Sequence, residues 1–281
     1  MPDSAGIVLA GGRSSRMGSP KAALEWHGST LLRRTVSILA RVTGGPVVVV
    51  RAAGQPLPAL PPDAEVVDDP RPGQGPVQGI AAGLAALAGR ADTAFVSATD
   101  LPFLHPAFVS RVLRAAGGDG ADVALPVARG YPQPLAAAYR TALAPVADKL
   151  VAAGRLRPAF LFGECTVDRL DEPALRADPA LAAADPALDS LVNINDPADY
   201  QAALAVPAPE VTVQRFGTLA DGQRGPQPVR AATVAEAAAA AGVAFDGHIV
   251  AALNGDQLTR DGETPLVAGD TVLFMTADAG G

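Results

Sequence analysis

The chain has 281 residues, enough for one large domain or two modest ones. Hydrophobic residues make up 49% of it and the formal net charge is −7, which argues against a nucleic-acid binder. No run reaches the ~20 apolar residues of a membrane span, no basic region precedes Ile7, and the lone Cys165 has no internal disulfide partner. The expectation is therefore a cytoplasmic protein with neither signal peptide nor membrane partner, and with Cys165 as a small buried hydrophobe.

Residues 7–10 read as a short buried strand that runs into a glycine-rich loop, and 30–39 carries the apolar spacing of a helix. Residues 46–50, Pro-Val-Val-Val-Val, are continuously apolar, as in a strand covered on both faces. Residues 65–67 form a short third strand, 77–87 a helix, 94–98 a fourth strand, 108–115 a helix and 122–125 another strand. This alternation predicts an α/β layer fold with a mostly parallel sheet. Between 171 and 190 an acidic-Pro-Ala-Leu unit recurs three times, at 172–175, 178–181 and 185–188. The period is too short for a solenoid. Each unit could start one helical turn, and the segment reads as a surface insertion.

A second organisation begins near residue 207. Residues 206–209, Val-Pro-Ala-Pro, read as a short linker. Residues 211–216 alternate as a strand, 233–241 form a helix ended by Gly242, and 249–253 run into the hairpin signal Asn254-Gly255. Residues 271–275 form a last strand, and the sequence closes on Gly280-Gly281. The expected division is 1–206 and 210–281, the latter a compact α+β unit.

The chemistry is concentrated in residues 9–21, Leu-Ala-Gly-Gly-Arg-Ser-Ser-Arg-Met-Gly-Ser-Pro-Lys. A glycine-rich loop between strand and helix presents backbone N–H groups to anions. Gly11, Gly12 and Gly18 allow close approach, and Arg13, Arg16 and Lys21 add cations. Glycines alone would equally mark a tight turn with incidental surface charge, whereas the whole string points to a phosphate cradle. Neither the Walker nor the Rossmann spacing matches.

That string resembles the signature of the MobA-like nucleotidyltransferases, the molybdenum cofactor guanylyltransferase family. The likeness continues through Asp69 with residues 75–80 (Gly-Pro-Val-Gln-Gly-Ile) and residues 97–104, which contain Asp100-Leu101-Pro102-Phe103. It extends to Gln133-Pro134-Leu135 and to residues 191–197 (Leu-Val-Asn-Ile-Asn-Asp-Pro), covering roughly 5–204 in order. Gln78 departs from the small residue usual at that place. The resemblance implies a Rossmann-like nucleotidyltransferase fold. The implied reaction transfers GMP from GTP to the phosphate of molybdopterin and releases pyrophosphate. Mg²⁺ is the implied cofactor, with Asp100 as its ligand. Leu9, Ala10, Gly11, Gly12, Arg13, Lys21, Asp69, Gly75 and Asp100 would form the nucleotide site. Arg16 and Lys21 would hold the triphosphate and stabilise departing pyrophosphate. Asp69 would anchor the nucleoside, with Asp68 competing for that role. Asn193 and Asn195 would act on the pterin side, although both also suit turn chemistry around Asp196-Pro197. Gly11 sits where related cytidylyltransferases carry alanine, so guanine is the expected base and CTP the alternative.

Residues 210–281 resemble the small sulfur carriers of the MoaD/ThiS type, which have a ubiquitin-like (β-grasp) fold. The matching blocks are 213–217 (Val-Gln-Arg-Phe-Gly), 250–255 (Val-Ala-Ala-Leu-Asn-Gly), 264–272 (Thr-Pro-Leu-Val-Ala-Gly-Asp-Thr-Val) and the final diglycine. A tail without side chains can thread into a narrow active site. The resemblance implies that Gly281 is adenylated and converted to a thiocarboxylate. An E1-like adenylating enzyme and the large subunit of molybdopterin synthase would be its partners. Nine acidic residues against four arginines in this segment suit basic clefts. Ala277-Asp278-Ala279 departs from the usual approach to the diglycine, and a plain interaction module is the alternative.

Overall fold

The computed structural model describes residues 4–11, 20–71, 73–117, 120–220 and 225–277. They fall into two compact units, Met1–Leu24 with Thr30–Tyr200, and Glu25–Ser29 with Gln201–Gly281. Among the described residues no helix is long and apolar enough to cross a membrane.

The first half of the chain gives β1 (Ser4–Leu9), the short pair β2 (Glu25–Trp26) and β3 (Ser29–Thr30), α1 (Leu31–Ala40), β4 (Val47–Ala52), β5 (Ala64–Asp69), α2 (Pro76–Leu87), β6 (Thr93–Ala98) and α3 (Pro106–Ala115). There follow β7 (Val123–Ala128), β8 (Tyr131–Pro132), β9 (Ala136–Arg140), α4 (Ala144–Ala152), α5 (Pro158–Phe162), β10 (Val167–Leu170), α6 (Glu172–Arg176), α7 (Pro179–Ala184) and α8 (Pro197–Ala205). The main sheet of the first unit has the order β10-β7-β9-β6-β1-β4-β5, with β8 paired to β7. β9 runs antiparallel to β6 and β7, while β10–β7, β6–β1, β1–β4 and β4–β5 are parallel. This is the expected mostly parallel α/β sheet.

The continuous apolar character of β1 and β4 follows from cover on both faces. A Cβ at Gly6 would meet Leu39 of α1 at 3.0 Å, whereas a Cβ at Gly83 of α2 would lie 2.6 Å from Ile7. Neighbouring strand residues point to opposite faces, so α1 and α2 pack on opposite sides of β1. Leu9 shares the face of Ile7 and would meet a Cβ at Gly79 at 3.1 Å. Glycines one helical turn apart thus let α2 lie close against the central strand.

The 171–190 segment is not a surface insertion. Leu175 and Leu181 are fully buried and Leu188 nearly so. Asp171 and Asp178 cap α6 and α7 through Ala174 N–H at 2.8 Å and Leu181 N–H at 3.0 Å. The third unit makes no helix of its own. Leu188 takes a left-handed φ of +58°, and the Asp185 carboxylate accepts Asp189 N–H at 2.7 Å and Ser190 N–H at 3.0 Å. Each repeat therefore delivers one leucine to the core, which an exposed insertion would not do. Cys165 is half-buried, its Sγ donates to Leu161 O at 3.2 Å, and burial pushes its thiol up to about 11, leaving it unreactive at neutral pH.

In the second unit, β11 (Glu210–Arg215), β12 (Gln227–Arg230), β13 (Ile249–Leu253), β14 (Gln257–Thr259) and β15 (Thr271–Thr276) pair in the order β12-β11-β15-β13-β14. β11 and β15 are parallel and the other pairs antiparallel. Helix α9 (Val234–Ala240), capped by Thr233, packs Val234, Ala237 and Ala238 into a core with Val211, Val213 and Phe274. The Asn254-Gly255 turn uses φ values of +54° and +85°, as its residue types allow. Trp26 is buried in this unit and its Nε1 donates to Ala203 O at 3.2 Å. The proline-containing stretch 206–209 lies within the unit.

Gly83→Ala should lower the unfolding free energy by about 1–3 kcal/mol through overpacking against Ile7, read from urea denaturation. An unchanged midpoint would mean that α2 does not press on β1 there.

Candidate active site

The chain leaves β1 toward β4 and β5 on one side and returns through β6 on the other. In an open α/β sheet such a reversal opens a crevice at the C-terminal ends of the strands. A cavity of about 450 Å³ lies there. Leu9, Ala10 and Gly11 line it from the end of β1, Ala52 and Gln55 from the end of β4, and Asp69 from the end of β5. Gly75 and Pro76 at the start of α2, Asp100 after β6, and Lys21 complete the wall. A helix N-terminus at the rim favours an anionic ligand.

Lys21 and Asp100, 79 positions apart in sequence, meet at 2.9 Å between Nζ and Oδ2, with side chains 21% and 19% exposed. The other carboxylate oxygen, Oδ1, is buried and has no hydrogen-bond partner among the described residues. A buried, unpartnered hard oxygen on a cavity wall fits a divalent cation. Among the described residues no group of three or more His, Cys, Asp or Glu is placed to hold a metal. Mg²⁺ is commonly held by one or two carboxylates together with substrate phosphates, so Asp100 alone matches that mode.

The backbone around Asp100 is fixed from two directions. Arg34 Nε of α1 donates to Pro102 O at 2.8 Å, and Ile194 N–H donates to Asp100 O at 2.9 Å. The latter bond sets Asn193 and Asn195 beside the Asp100 loop. Both asparagines line a second cavity of about 330 Å³, with Arg129, Tyr131, Gln133 and Asp199. Asn195 N–H donates to Asp199 Oδ2 at 2.8 Å, and Asp196 Oδ1 accepts from Ala198 and Asp199 N–H, so this stretch also performs turn and cap chemistry.

Strand alternation separates the two competing aspartates. Asp69 lines the cavity and accepts Arg71 N–H at 2.9 Å, whereas Asp68 is ion-paired with Arg51 at 2.7 Å and stands outside the lining. Gly75 has a φ of +98°, and a Cβ there would meet Leu156 O at 3.2 Å, so glycine is required on both counts. At Gly11 the requirement is weaker, since a Cβ would stand 3.4 Å from Ala52 N, an ordinary contact. Gly12, Arg13, Arg16, Gly18 and Gly281 lie outside the described residues. Sequence reasoning missed Arg34 and Gln55. Only the glycine before Gln55 signalled that its side chain could fold back.

A family model for the MobA-like NTP transferase domain matches residues 6–165. The chain belongs to the MobA-like NTP transferase family. A Mycobacterium tuberculosis protein named probable molybdenum cofactor guanylyltransferase is 43% identical over 160 residues, 56% of this chain and 78% of the relative. A protein of the same name from Mycobacterium avium is 37% identical over 201 residues, 70% of this chain and 93% of the relative. Among solved structures, molybdopterin-guanine dinucleotide biosynthesis protein A from Archaeoglobus fulgidus shares the fold, with a TM-score of 0.58 at 24% identity. It is matched over 71% of this chain and 96% of that one. As a MobA-like NTP transferase, the chain is a nucleotidyltransferase enzyme.

If this cavity takes the nucleotide, Asp69→Ala should raise the KM for a nucleoside triphosphate about tenfold or more, the scale of a lost hydrogen bond to a charged group. Asp68→Ala should leave it within about twofold, as expected for an exposed ion pair. Steady-state kinetics on both variants checks this, and the reverse order would exchange the roles of the two aspartates.

Proposed function

We propose that this chain transfers GMP from GTP to the phosphate of molybdopterin and releases pyrophosphate. The observation that carries the reading is the Lys21–Asp100 pair, 2.9 Å apart on the wall of a cavity at the strand ends. The guanylyltransferase names of the mycobacterial relatives support the choice of base and acceptor. An oxygen of the acceptor phosphate attacks the α-phosphorus of GTP, and the bond between that phosphorus and the bridging oxygen to the β-phosphate breaks. The bonding pair leaves on pyrophosphate. The acceptor is a phosphate monoester with a second pKa of about 6, so it is largely dianionic at neutral pH and needs no general base.

The work left to the protein is positioning and charge neutralisation. Lys21 places its ammonium against the phosphates, and Arg16 adds a second cation in this reading. Asp69 anchors the nucleoside, while Leu9, Ala10, Gly11, Gly12, Arg13 and Gly75 bring main chain close to the nucleotide. Asp100 Oδ1 is the oxygen that would hold Mg²⁺, which when bound supplies further neutralisation of the triphosphate. Asn193 and Asn195 orient the pterin from the second cavity, and the Ile194–Asp100 main-chain bond couples that cavity to the phosphate site.

Residues 210–281 are read as a sulfur-carrier domain of β-grasp type, following a transferase domain of residues 1–206. The five-stranded sheet, with parallel β11 and β15 side by side and α9 packed against its core residues, supports this. Gly281 would be adenylated by an E1-like enzyme, converted to a thiocarboxylate, and presented to the large subunit of molybdopterin synthase. One chain would then serve an early and a late step of the same cofactor's assembly.

With Mg²⁺ and molybdopterin, GTP should yield the guanine dinucleotide and pyrophosphate and CTP should not, read by product chromatography. Turnover with CTP alone would replace the base. Asp100→Ala should lower turnover by about a hundredfold or more with an unchanged circular dichroism spectrum, and near-normal turnover would remove Asp100 from the metal. Deleting Gly281 should abolish sulfur loading by an E1-like enzyme, followed by mass spectrometry, and leave guanylyl transfer intact. Sulfur on the truncated chain would remove Gly281 as the carrier terminus, and none on the full chain would leave this domain an interaction module.

A further inference from the structure

The ladder between β1 and β4 pairs Gly6 through Leu9 with Val47 through Val50, and Ala10 N–H donates to Val50 O at 2.8 Å. In a parallel ladder the next bond would run from Ala52 N–H to Ala10 O. A side chain occupies that rung instead. Ala52 N–H donates to Gln55 Oε1 at 3.1 Å, and Gln55 Nε2 donates to Ala10 O at 3.0 Å. The carboxamide is thus interposed between the strands as an extra amide unit. Its two partners, one a donor and one an acceptor, fix which way it points.

We infer that Gln55 is a positioning residue for the nucleotide, holding the end of β1 one amide width away from the end of β4. The separation falls where β1 delivers Ala10 and Gly11 to the cavity, and Ala10, Ala52 and Gln55 all line it. A closed rung would draw Ala10 and Gly11 toward Ala52 and narrow the cleft that admits the nucleoside.

The local sequence builds this spacer. Gln55 N–H donates to Ala52 O at 2.9 Å, closing a turn whose third residue, Gly54, has a φ of +75°, as a type II turn requires. Arg51 donates to Gln55 O at 3.1 Å while its Nε is ion-paired with Asp68 at 2.7 Å, so the turn is anchored from β5 as well. The two ladder bonds use one N–H and one lone pair of the carboxamide. They leave one of each for the edge of a nucleobase.

The inference rests on the reading of this cavity as the nucleotide site, and the test separates the two. GTP and CTP binding is measured by calorimetry on wild type, Gln55→Met and Gln55→Glu between pH 5.5 and 8, with thermal melts to show that each variant is folded. Methionine fills the space but supplies neither bond, so Kd and KM should rise about tenfold with kcat within about twofold. A neutral glutamic acid reproduces both bonds, its O–H donating to Ala10 O and its carbonyl accepting from Ala52 N–H. An ionised one turns a second acceptor onto that carbonyl. Facing Ala10 O favours the neutral form and raises the carboxyl above its usual pKa of about 4.3. The ratio of Gln55→Glu Kd to wild-type Kd should therefore grow from pH 5.5 to pH 8 as the raised carboxyl ionises. A wild type that binds neither nucleotide overturns the site and this inference together. A wild type that binds, with Gln55→Met equal to it or a Gln55→Glu ratio independent of pH, overturns the inference alone.

Discussion

β1 is hydrogen-bonded to β4 along one edge and to β6 along the other, and α1 and α2 close its two faces. A strand enclosed on four sides can meet a ligand only where it ends. Everything else in the first unit follows from that confinement. The strand order reverses at β1, so the ends of β4, β5 and β6 gather around the same opening. The glycines of α2 hold the enclosure tight, and the Gln55 carboxamide parts the sheet at the one rung where the enclosure stops.

The opening holds charge economically. Lys21 and Asp100 are each about four-fifths covered and face one another. Partly exposed pairs contribute little to stability because screening and side-chain entropy offset the attraction. Their significance is geometric. Asp100 is held by Ile194 N–H on its own carbonyl and by the Arg34 side chain on Pro102 O two residues further on, so its carboxylate is carried on a fixed stretch of main chain. The Ile194–Asp100 bond ties the asparagine segment to the loop that carries Asp100, so movement in one would be felt in the other.

Much of this was legible in the sequence, and the exceptions have physical causes. The continuous valine run announced β4, because burial on both faces is a local signal, whereas the helices read at 77–87 and 108–115 begin one and two residues earlier, at Pro76 and Pro106. β9, Ala-Ala-Ala-Tyr-Arg, carried no such signal, since alanine is depleted in strands and only pairing between β6 and β7 makes it one. The leucines of the 171–190 repeats looked exposed because short helical turns have no period long enough to reveal a buried face, yet Leu175 and Leu181 are wholly covered. Choosing between Asp68 and Asp69 needed the strand's phase, which two adjacent identical residues cannot disclose. Lys21 and Asp100 were legible through family likeness, but Gln55 was not. Its role depends on two backbone atoms forty-five and three positions away.

The indole of Trp26, the only one in the chain, has a further consequence. It is encoded near the start of the chain, yet it is buried in the second unit, donating to Ala203 O and lying edge-on to His27 with ring centroids 4.5 Å apart. Intrinsic fluorescence of this protein is therefore a reporter of the second unit, while the buried Tyr139 belongs to the first. Cutting the chain at the proline stretch would not give two clean fragments. The N-terminal piece would carry away a hairpin, and with it the chromophore, that folds with residues left on the other side of the cut.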